Sequence, residues 1–203
     1  ERPEHFGDIH RTYEDGERMV TTPPYTAFLK IAEGCSNGCA FCIIPKLRGR
    51  YRSRSMEALV EEARGLAASG VKELIVIAQD ITRYGLDRKD GSTLAKLLDR
   101  LCELDFHWIR LHYLYPEAVT DELIETIARQ PKILHYLDIP IQHCNDTVLK
   151  AMRRRETKAG LEGLFRRVAR AIAASDLQYK PEADVAALEE EFYRMMTELE
   201  FLP

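Results

Sequence analysis

Apolar residues recur along the chain with two alternating periods, one typical of α-helices and one of short strands. Residues 55–70 begin with a serine suited to an N-cap and end with a glycine suited to stopping a helix. Their apolar positions lie on one helical face: Met56, Leu59, Val60, Ala63, Leu66 and Ala67. The segment VKELIVIA follows directly and is short, β-branched and apolar. This pattern predicts a helix followed by a buried strand of a parallel sheet.

The alternation of strand and helix occurs four times. Predicted strands cover 25–33, 71–78, 107–115 and 133–141, and predicted helices cover 55–70, 92–104, 120–130, 145–154 and 157–175. Ser92 and Thr120 are the predicted caps of two of these helices, and Pro131 is a predicted stop. Successive βα units favour an α/β fold with a parallel sheet. Strand order is not readable from the sequence, so an open sheet and a barrel both remain open.

The two ends of the chain differ from this pattern. Residues 1–24 end in TTPP, which predicts an extended lead-in. Residues 25–175 form the predicted βα domain, and residues 176–203 form an atypical helical segment. That last segment has an apolar stripe, which we expect to pack against a core: Val185, Leu188, Phe192, Met195 and Leu199. The chain begins with Glu rather than Met, so we expect it to be a fragment or a processed piece.

Composition narrows the class of protein. The chain has 203 residues, 45% hydrophobic and 31% charged, with a net charge of −4, as in a globular protein. We expect no membrane contact and a cytoplasmic location, since no apolar run approaches the length of a bilayer span and no signal peptide is visible. The chain has two basic blocks, 46–54 and 150–158, and a solvated face is an even alternative for each. The first block could touch RNA phosphates, or it could shape the site beside the cysteine loop.

Polar and thiol side chains follow the predicted strands, where a parallel sheet gathers its ligands. Going from the first strand to the fourth, these are the cysteine-rich loop, Gln79 with Asp80, Tyr115 with Pro116, and Gln142 with His143. We therefore expect them to converge on one edge of the sheet and form a site there.

Three of the five cysteines lie in GCSNGCAFCIIP, at Cys35, Cys39 and Cys42. Thiolates suit zinc and iron–sulfur clusters, and three of them leave one coordination position open. The flanking glycines, Gly34 and Gly38, permit positive φ and allow backbone N–H groups to approach the sulfurs. Spacing alone leaves a catalytic zinc site and a cubane cluster as alternatives.

The other two cysteines are predicted to be structural. Cys102 lies on the apolar stripe of a predicted helix, and Cys144 lies just beyond the fourth strand. Small buried thiols are common in protein cores, so we expect both of these cysteines to pack rather than to bind a metal.

The motif CSNGCAFC, with Phe41 before its last cysteine, resembles that of the radical S-adenosylmethionine (SAM) enzymes. The resemblance implies a partial (βα) TIM-like barrel and a 4Fe-4S cluster held by Cys35, Cys39 and Cys42. It also implies that the amino and carboxylate groups of SAM bind the fourth iron. An electron from a reductant protein would then cleave the sulfonium and produce a deoxyadenosyl radical.

Further segments resemble the methylthiotransferase group within that family. These are LKIAEGCSNGCAFCIIPKLRGRYRSR, LIVIAQDITRYG, LHYLYPE and YLDIPIQHCNDTVLKAMRRR, and the likeness covers roughly residues 3–171. AQDITRYG is most similar to the branch that modifies an aspartate of a small-subunit ribosomal protein. The tRNA-modifying branch remains the alternative for the substrate.

The resemblance also implies roles for individual residues. Phe41 would lie near the adenine, and Gln79 and Asp80 would contact the methionine moiety. Gln142 would line the floor of the site. The SAM carboxylate would pair with Arg153 or Arg154. Three histidines are outside this set. A structural and a functional role are both possible for His143, whereas His112 and His135 lie on strands and are predicted to serve in packing.

Three departures from the methylthiotransferase pattern limit what the resemblance implies. The chain shows no second cysteine-rich domain, which in the family holds a second cluster thought to supply sulfur, and no C-terminal β-barrel domain. After the fourth helix, AIAASDLQYKPEADVAALEEEF replaces the family's strand and Gly-Phe-Pro-Gly-Glu turn. We therefore expect a barrel that is incomplete at its C-terminal side. An inactive cluster-binding remnant stays as an alternative to an active enzyme.

Overall fold

The structure is a computed structural model, and it describes residues 20–175. Most of the lead-in predicted for 1–24 and all of the segment predicted for 176–203 lie outside the described residues. The part that it describes contains the whole predicted βα domain. No helix within that part has both the length and the apolar character needed to cross a bilayer.

Strands and helices alternate as the sequence predicts. The strands are β1 (Thr26–Lys30), β2 (Ala32–Glu33), β3 (Arg52–Ser53), β4 (Glu73–Ile77), β5 (Trp108–Leu111) and β6 (Ile133–Leu137). The α-helices are α1 (Ile44–Arg48), α2 (Met56–Ala68), α3 (Leu94–Cys102), α4 (Asp121–Arg129), α5 (Asp146–Ala151) and α6 (Lys158–Ala174). Short 3-10 helices follow β4 at Ile81–Arg83 and β5 at Pro116–Ala118.

The main sheet is parallel, with the order β1-β4-β5-β6. This result confirms the predicted α/β class and supplies the strand order, because each strand lies beside the next main-sheet strand in the chain. Right-handed crossovers between such strands place their helices on the same face. Accordingly α2 packs on α3, α3 on α4, and α4 on α6. Within residues 20–175 the sheet does not close into a barrel.

Burial follows this one-sided arrangement. The side chains that face the helices are fully buried in the core: Ala27, Leu29, Leu74, Val76, Ile109 and Leu111. On the opposite face, Phe28 is 41% exposed and its neighbours Ile75 and Arg110 are half-buried. The strand predicted over 71–78 is confirmed as a parallel strand, and its burial is complete on the helical face only, because among the described residues the helices cover one face.

The predicted first strand divides into two. β1 joins the main sheet, whereas β2 pairs antiparallel with β3, aligning Ala32 with Ser53 and Glu33 with Arg52. This hairpin joins the two ends of segment 34–51, which contains the cysteine loop and α1. The base of the loop is therefore fixed by a small sheet of its own.

Most of the predicted helix ends are confirmed. The Ser55 hydroxyl accepts from Ala58 N at 3.2 Å, and the Thr120 hydroxyl accepts from Leu123 N at 3.2 Å. The cap predicted at Ser92 is wrong by one residue, because Thr93 Oγ1 accepts from Lys96 N at 3.2 Å. Ser92 instead donates its backbone N–H to Asp90.

Both structural cysteines are also placed as predicted. Cys102 packs against the main core, and Cys144 is buried in a small cluster with Leu149 and Leu161. The shorter fourth strand is a further difference, because β6 ends at Leu137 rather than near residue 141.

Truncation of the buried face of the sheet should destabilise the chain far more than truncation of the open face. Ile109→Ala removes a fully buried side chain, and we expect it to lower the free energy of unfolding by about 2–5 kcal/mol. Ile75→Ala is the matched control, because its side chain is half-buried on the other face. Denaturant unfolding measures both variants, and equal losses would contradict the one-sided core.

Candidate functional site

Cys35, Cys39 and Cys42 lie between β2 and α1, and all three are free, partly buried thiols. Glycines shape the loop: Gly34 has φ 79° and Gly38 has φ 72°. A Cβ on Gly34 would lie 2.3 Å from the Arg50 carbonyl oxygen. The loop therefore begins in close backbone contact with the segment that leads into β3, and a residue without a Cβ is required there.

A cavity of about 360 Å³ connects this loop to the carboxyl end of β4. It is lined by Cys35, Cys42, Ile44, Ala78, Gln79 and Tyr113. Gln79 Oε1 is buried and has no hydrogen-bond partner among the described residues. A buried amide oxygen is costly to leave unpaired, so this acceptor suits a ligand that carries an N–H or ammonium donor.

Cys39 lies on another side of the loop. Its Sγ is 3.9 Å from the Tyr115 hydroxyl and 3.9 Å from Arg154 Nη1. The Arg154 guanidinium is buried over the Tyr115 ring, with its central carbon 4.1 Å from the ring centroid. It also donates to Glu156 at 2.5 Å and to the Pro140 carbonyl at 2.9 Å. Arg154 thus places a neutralised cation and a hydrogen-bond donor beside the sulfur.

The donor set fits an iron–sulfur cluster better than a single ion. Among residues 20–175, no three His, Cys, Asp or Glu side chains form a group that could hold one metal ion. A cubane cluster makes a different demand, because each thiolate binds a separate iron and the sulfurs stand further apart. The loop offers three free, partly buried thiols, which is the number of protein ligands that a cubane cluster with one open iron needs.

The surroundings of Cys35 and Tyr115 raise the pKa of both groups. Burial raises the pKa of the Cys35 thiol, while a hydrogen bond from the Asn37 backbone N–H lowers it. The neighbouring carboxylate of Asp80 and the two other thiols raise it further. Burial also raises the pKa of Tyr115, so its hydroxyl keeps the proton that it can donate to Cys39. Metal binding at Cys35 must therefore displace a proton.

Asp80 lies at the rim as predicted, with a side chain that is 1% exposed. Its Oδ1 accepts from the backbone N–H of Thr82 at 3.0 Å and from the Thr82 hydroxyl. Its Oδ2 accepts from Asn37 Nδ2 at 2.8 Å, and Arg83 Nε lies 3.2 Å away. Arg83 also pairs with Glu117. The carboxylate therefore ties the cysteine loop to the segments after β4 and β5.

The remaining predicted residues do not line this cavity. Phe41 is 56% exposed. Gln142 and Arg153 are exposed on left-handed backbone, with φ 64° and 56°. Arg154 lies at the loop but is held by Glu156. The roles assigned to these residues by resemblance stay predictions, as do those of Gln79 and Asp80.

The histidines make local contacts. His143 Nδ1 accepts from the backbone N–H of Asn145 at 2.9 Å, which is a structural role. His112 does not simply pack, because its Nδ1 lies 3.2 Å from Asp138 Oδ2. His135 is half-buried, and its Nε2 has no hydrogen-bond partner in the described part of the chain.

Two residues of the site are missing from the predictions. Tyr113 lines the cavity, and Asn37 bonds to Asp80 across 43 positions of sequence. An asparagine between two candidate ligands was a usable signal for Asn37. Nothing local indicates its partner, because the contact depends on the order of the strands.

Comparison with known proteins supports the resemblance to the radical SAM enzymes. The model of the Radical SAM superfamily matches residues 29–174. A ribosomal protein uS12 methylthiotransferase RimO from Caldanaerobacter subterraneus subsp. tengcongensis is 58% identical over 146 residues, covering 71% of this chain and 34% of that protein. The protein of the same name from Pelobacter propionicus is 55% identical over 156 residues, covering 76% of this chain and 35% of that protein. The chain thus spans about a third of the length of these curated relatives.

Solved structures share the fold at low sequence identity. The radical S-adenosylmethionine methyltransferase TsrM from Kitasatospora setae has a TM-score of 0.59 at 16% identity, covering 77% of this chain and 32% of that one. The cobalamin-dependent S-adenosylmethionine radical enzyme OxsB, with aqua-cobalamin bound, has a TM-score of 0.55 at 17% identity, covering 71% of this chain and 22% of that one. These likenesses concern the α/β architecture alone.

The two loop glycines should respond differently to substitution. Gly34→Ala forces a Cβ against the Arg50 carbonyl, so we expect it to destabilise the apo protein and disorder the loop. Gly38→Ala is the matched control, because it has a similar φ and no atom within 4 Å. That control should cost only the left-handed penalty of about 1–2 kcal/mol. Calorimetric unfolding compares the two, and equal losses would contradict the close contact at Gly34.

Proposed function

Because this chain belongs to the radical SAM superfamily, we propose that it forms the radical SAM core of a methylthiotransferase. In this proposal the chain is part of a transferase that adds a methylthio group to an aspartate of the small-subunit ribosomal protein uS12. The curated relatives carry the name of that activity at 50–58% identity. The domain division at residues 24 and 175 belongs to the same proposal.

Cys35, Cys39 and Cys42 would hold a 4Fe-4S cluster, whose chemistry is one-electron reduction of the sulfonium of bound SAM. The chain's own residues prepare the site for that group. Gly34 and Gly38 set the loop backbone, and the three sulfurs are partly buried. Tyr115 and Arg154 offer donors to Cys39, which would orient that ligand.

SAM would bind in the cavity beside the loop. Gln79 Oε1 suits the ammonium of the methionine moiety, since it is a buried acceptor without a partner among the described residues. Phe41 would border the adenine, Gln142 would lie under the cofactor, and Arg153 is the exposed cation available to a carboxylate. Arg154 is the weaker candidate for that pairing, because Glu156 already neutralises it.

Partners follow from the reaction. A small-subunit ribosomal protein would be the substrate, and a reductant protein would supply electrons to the cluster. The basic block at 150–158 touches the cysteine loop, because Ala40 N donates to the Met152 carbonyl at 2.9 Å. The block at 46–54 follows the loop in the chain and would be available for contact with RNA. Such a role belongs in the cytoplasm.

The observation that carries the proposal is the cavity shared by two cysteines of a C-x3-C-x2-C loop and the unpaired amide oxygen of Gln79. This arrangement places cluster ligands and an acceptor for a cofactor around one space. A catalytic zinc site would need its ligands gathered around a single ion instead.

Anaerobic reconstitution with iron and sulfide tests the cluster. We expect a brown protein with about four irons per chain, and loss of the colour in Cys39→Ala. Cys102→Ala is the control, because that thiol packs in the core, and it should keep the iron. Tight zinc without iron–sulfur absorption would contradict the proposal. If the cluster forms but the reduced protein releases no 5′-deoxyadenosine from SAM, the chain is the inactive cluster-binding remnant rather than an active enzyme.

A chimera tests the substrate. Residues 25–175 of this chain would replace the matching segment of a uS12 methylthiotransferase from one of the relatives. We expect the chimera to add one methylthio group to uS12, measured by mass spectrometry of the intact ribosomal protein. The parent enzyme is the positive control. Modification of tRNA in place of uS12 would assign the chain to the other branch.

A further inference from the structure

The carboxylate of Asp80 is buried and accepts three hydrogen bonds from the protein itself. An ionised carboxylate offers about four acceptor positions on its two oxygens. Within the described structure, Thr82 takes two through its N–H and hydroxyl, and Asn37 Nδ2 takes a third. Arg83 Nε lies 3.2 Å from Oδ2 as an ion-pair partner, without the geometry of a hydrogen bond. The side chain is also 1% exposed, so protein groups surround the carboxylate and leave little access for a bound molecule.

We propose that Asp80 is a positioning residue that fixes the cysteine loop through Asn37, and that it does not contact the cofactor. We name the hydrogen bond between these two side chains the Asn37–Asp80 latch. The inference rests on the proposed function in one respect, because it takes the loop to be the cluster loop.

The latch acts on a sulfur through a short path. Asn37 Nδ2 donates to Asp80 at 2.8 Å, and Asn37 lies two residues from Cys35 and two from Cys39. Holding its side chain therefore restricts the backbone between these two cysteines. Hydrogen bonds around a metal site orient its ligands in this way.

The other end of the latch is rigid. Thr82 lies in the 3-10 helix that follows β4, and its two hydrogen bonds fix the Asp80 rotamer. Arg83 links Asp80 to Glu117 in the 3-10 helix that follows β5. The position of the loop is thus fixed relative to the ends of two neighbouring strands, β4 and β5. Its glycines would otherwise leave it with many alternative conformations.

A direct contact with the cofactor makes different predictions from the latch. If Asp80 bound SAM itself, Asn37 would be dispensable and only changes at Asp80 would matter. If Asp80 acts through Asn37, loss of either side chain should have the same effect. A swap of the two residues, with Asp at 37 and Asn at 80, keeps one donor and one acceptor and should preserve the function of the pair.

Four variants and two measurements separate these cases. Asn37→Ala removes the donor from a partly exposed loop position, so it leaves the core intact. Asn37→Asp sets two carboxylates against each other, and the double variant Asn37→Asp with Asp80→Asn restores a donor–acceptor pair. Asp99→Asn is the control, because it breaks an exposed ion pair with Arg129 on the helical face. The measurements are amide hydrogen exchange of residues 35–42 in the apo protein, and the rate of iron loss to a chelator after reconstitution.

The latch predicts that Asn37→Ala speeds both exchange and iron loss by roughly tenfold or more, as for the loss of a hydrogen bond to a charged group. Asn37→Asp should be worse, and the swap should recover most of the wild-type protection. Asp99→Asn should match the wild type. The swap also checks that any loss comes from the pair rather than from misfolding.

Wild-type exchange and iron retention in Asn37→Ala would overturn the inference, and so would a swap no better than Asn37→Asp alone. Failure of the proposed function would be distinguishable from failure of this inference. If the wild-type chain assembles no cluster, the proposed function is lost, while hydrogen exchange in the apo protein still decides whether the latch holds the loop.

Discussion

The structure depends on one constraint, which is that a glycine-rich cysteine loop must be held in a fixed place at the carboxyl edge of the sheet. The loop has little means of ordering itself, because Gly34 and Gly38 adopt left-handed backbone conformations. Its start is held by the β2–β3 hairpin and by the backbone contact at Gly34. Its middle is held from the strand ends, by Asp80 through Asn37 and by Tyr115 and Arg154 beside Cys39. The middle of the loop, at Asn37 and Cys39, is therefore positioned by side chains that follow β4 and β5 and by Arg154.

The sheet explains why those contacts meet. Its strands run parallel in chain order, so the segments after β1, β4 and β5 are neighbours at one edge. The helices pack on one face and bury a continuous apolar core there. The other face keeps Phe28, Ile75 and Arg110 partly exposed. The core thus supplies a rigid base, while the edge supplies the polar groups and the cavity that bear on function.

Local features were predictable from the sequence, and long-range ones were not. The Ser55 cap and the buried face of α2 follow from residues close together in the chain, and the structure confirms both. The division of the first strand depends on pairing with Arg52 and Ser53, which periodicity does not encode. One-sided burial of β4 depends on strand order. The cysteine motif was sufficient to indicate the family by resemblance. The contact between Asn37, inside that motif, and Asp80 was not predictable, because it depends on the fold.

The central claim is that this loop holds a cluster with one iron open to SAM. Electron paramagnetic resonance of the reconstituted and reduced protein, recorded with and without SAM, tests it most directly. The account predicts that SAM changes the g-values of the cluster signal, because its amino and carboxylate groups would bind the fourth iron. A cluster signal that is the same with saturating SAM would contradict the account.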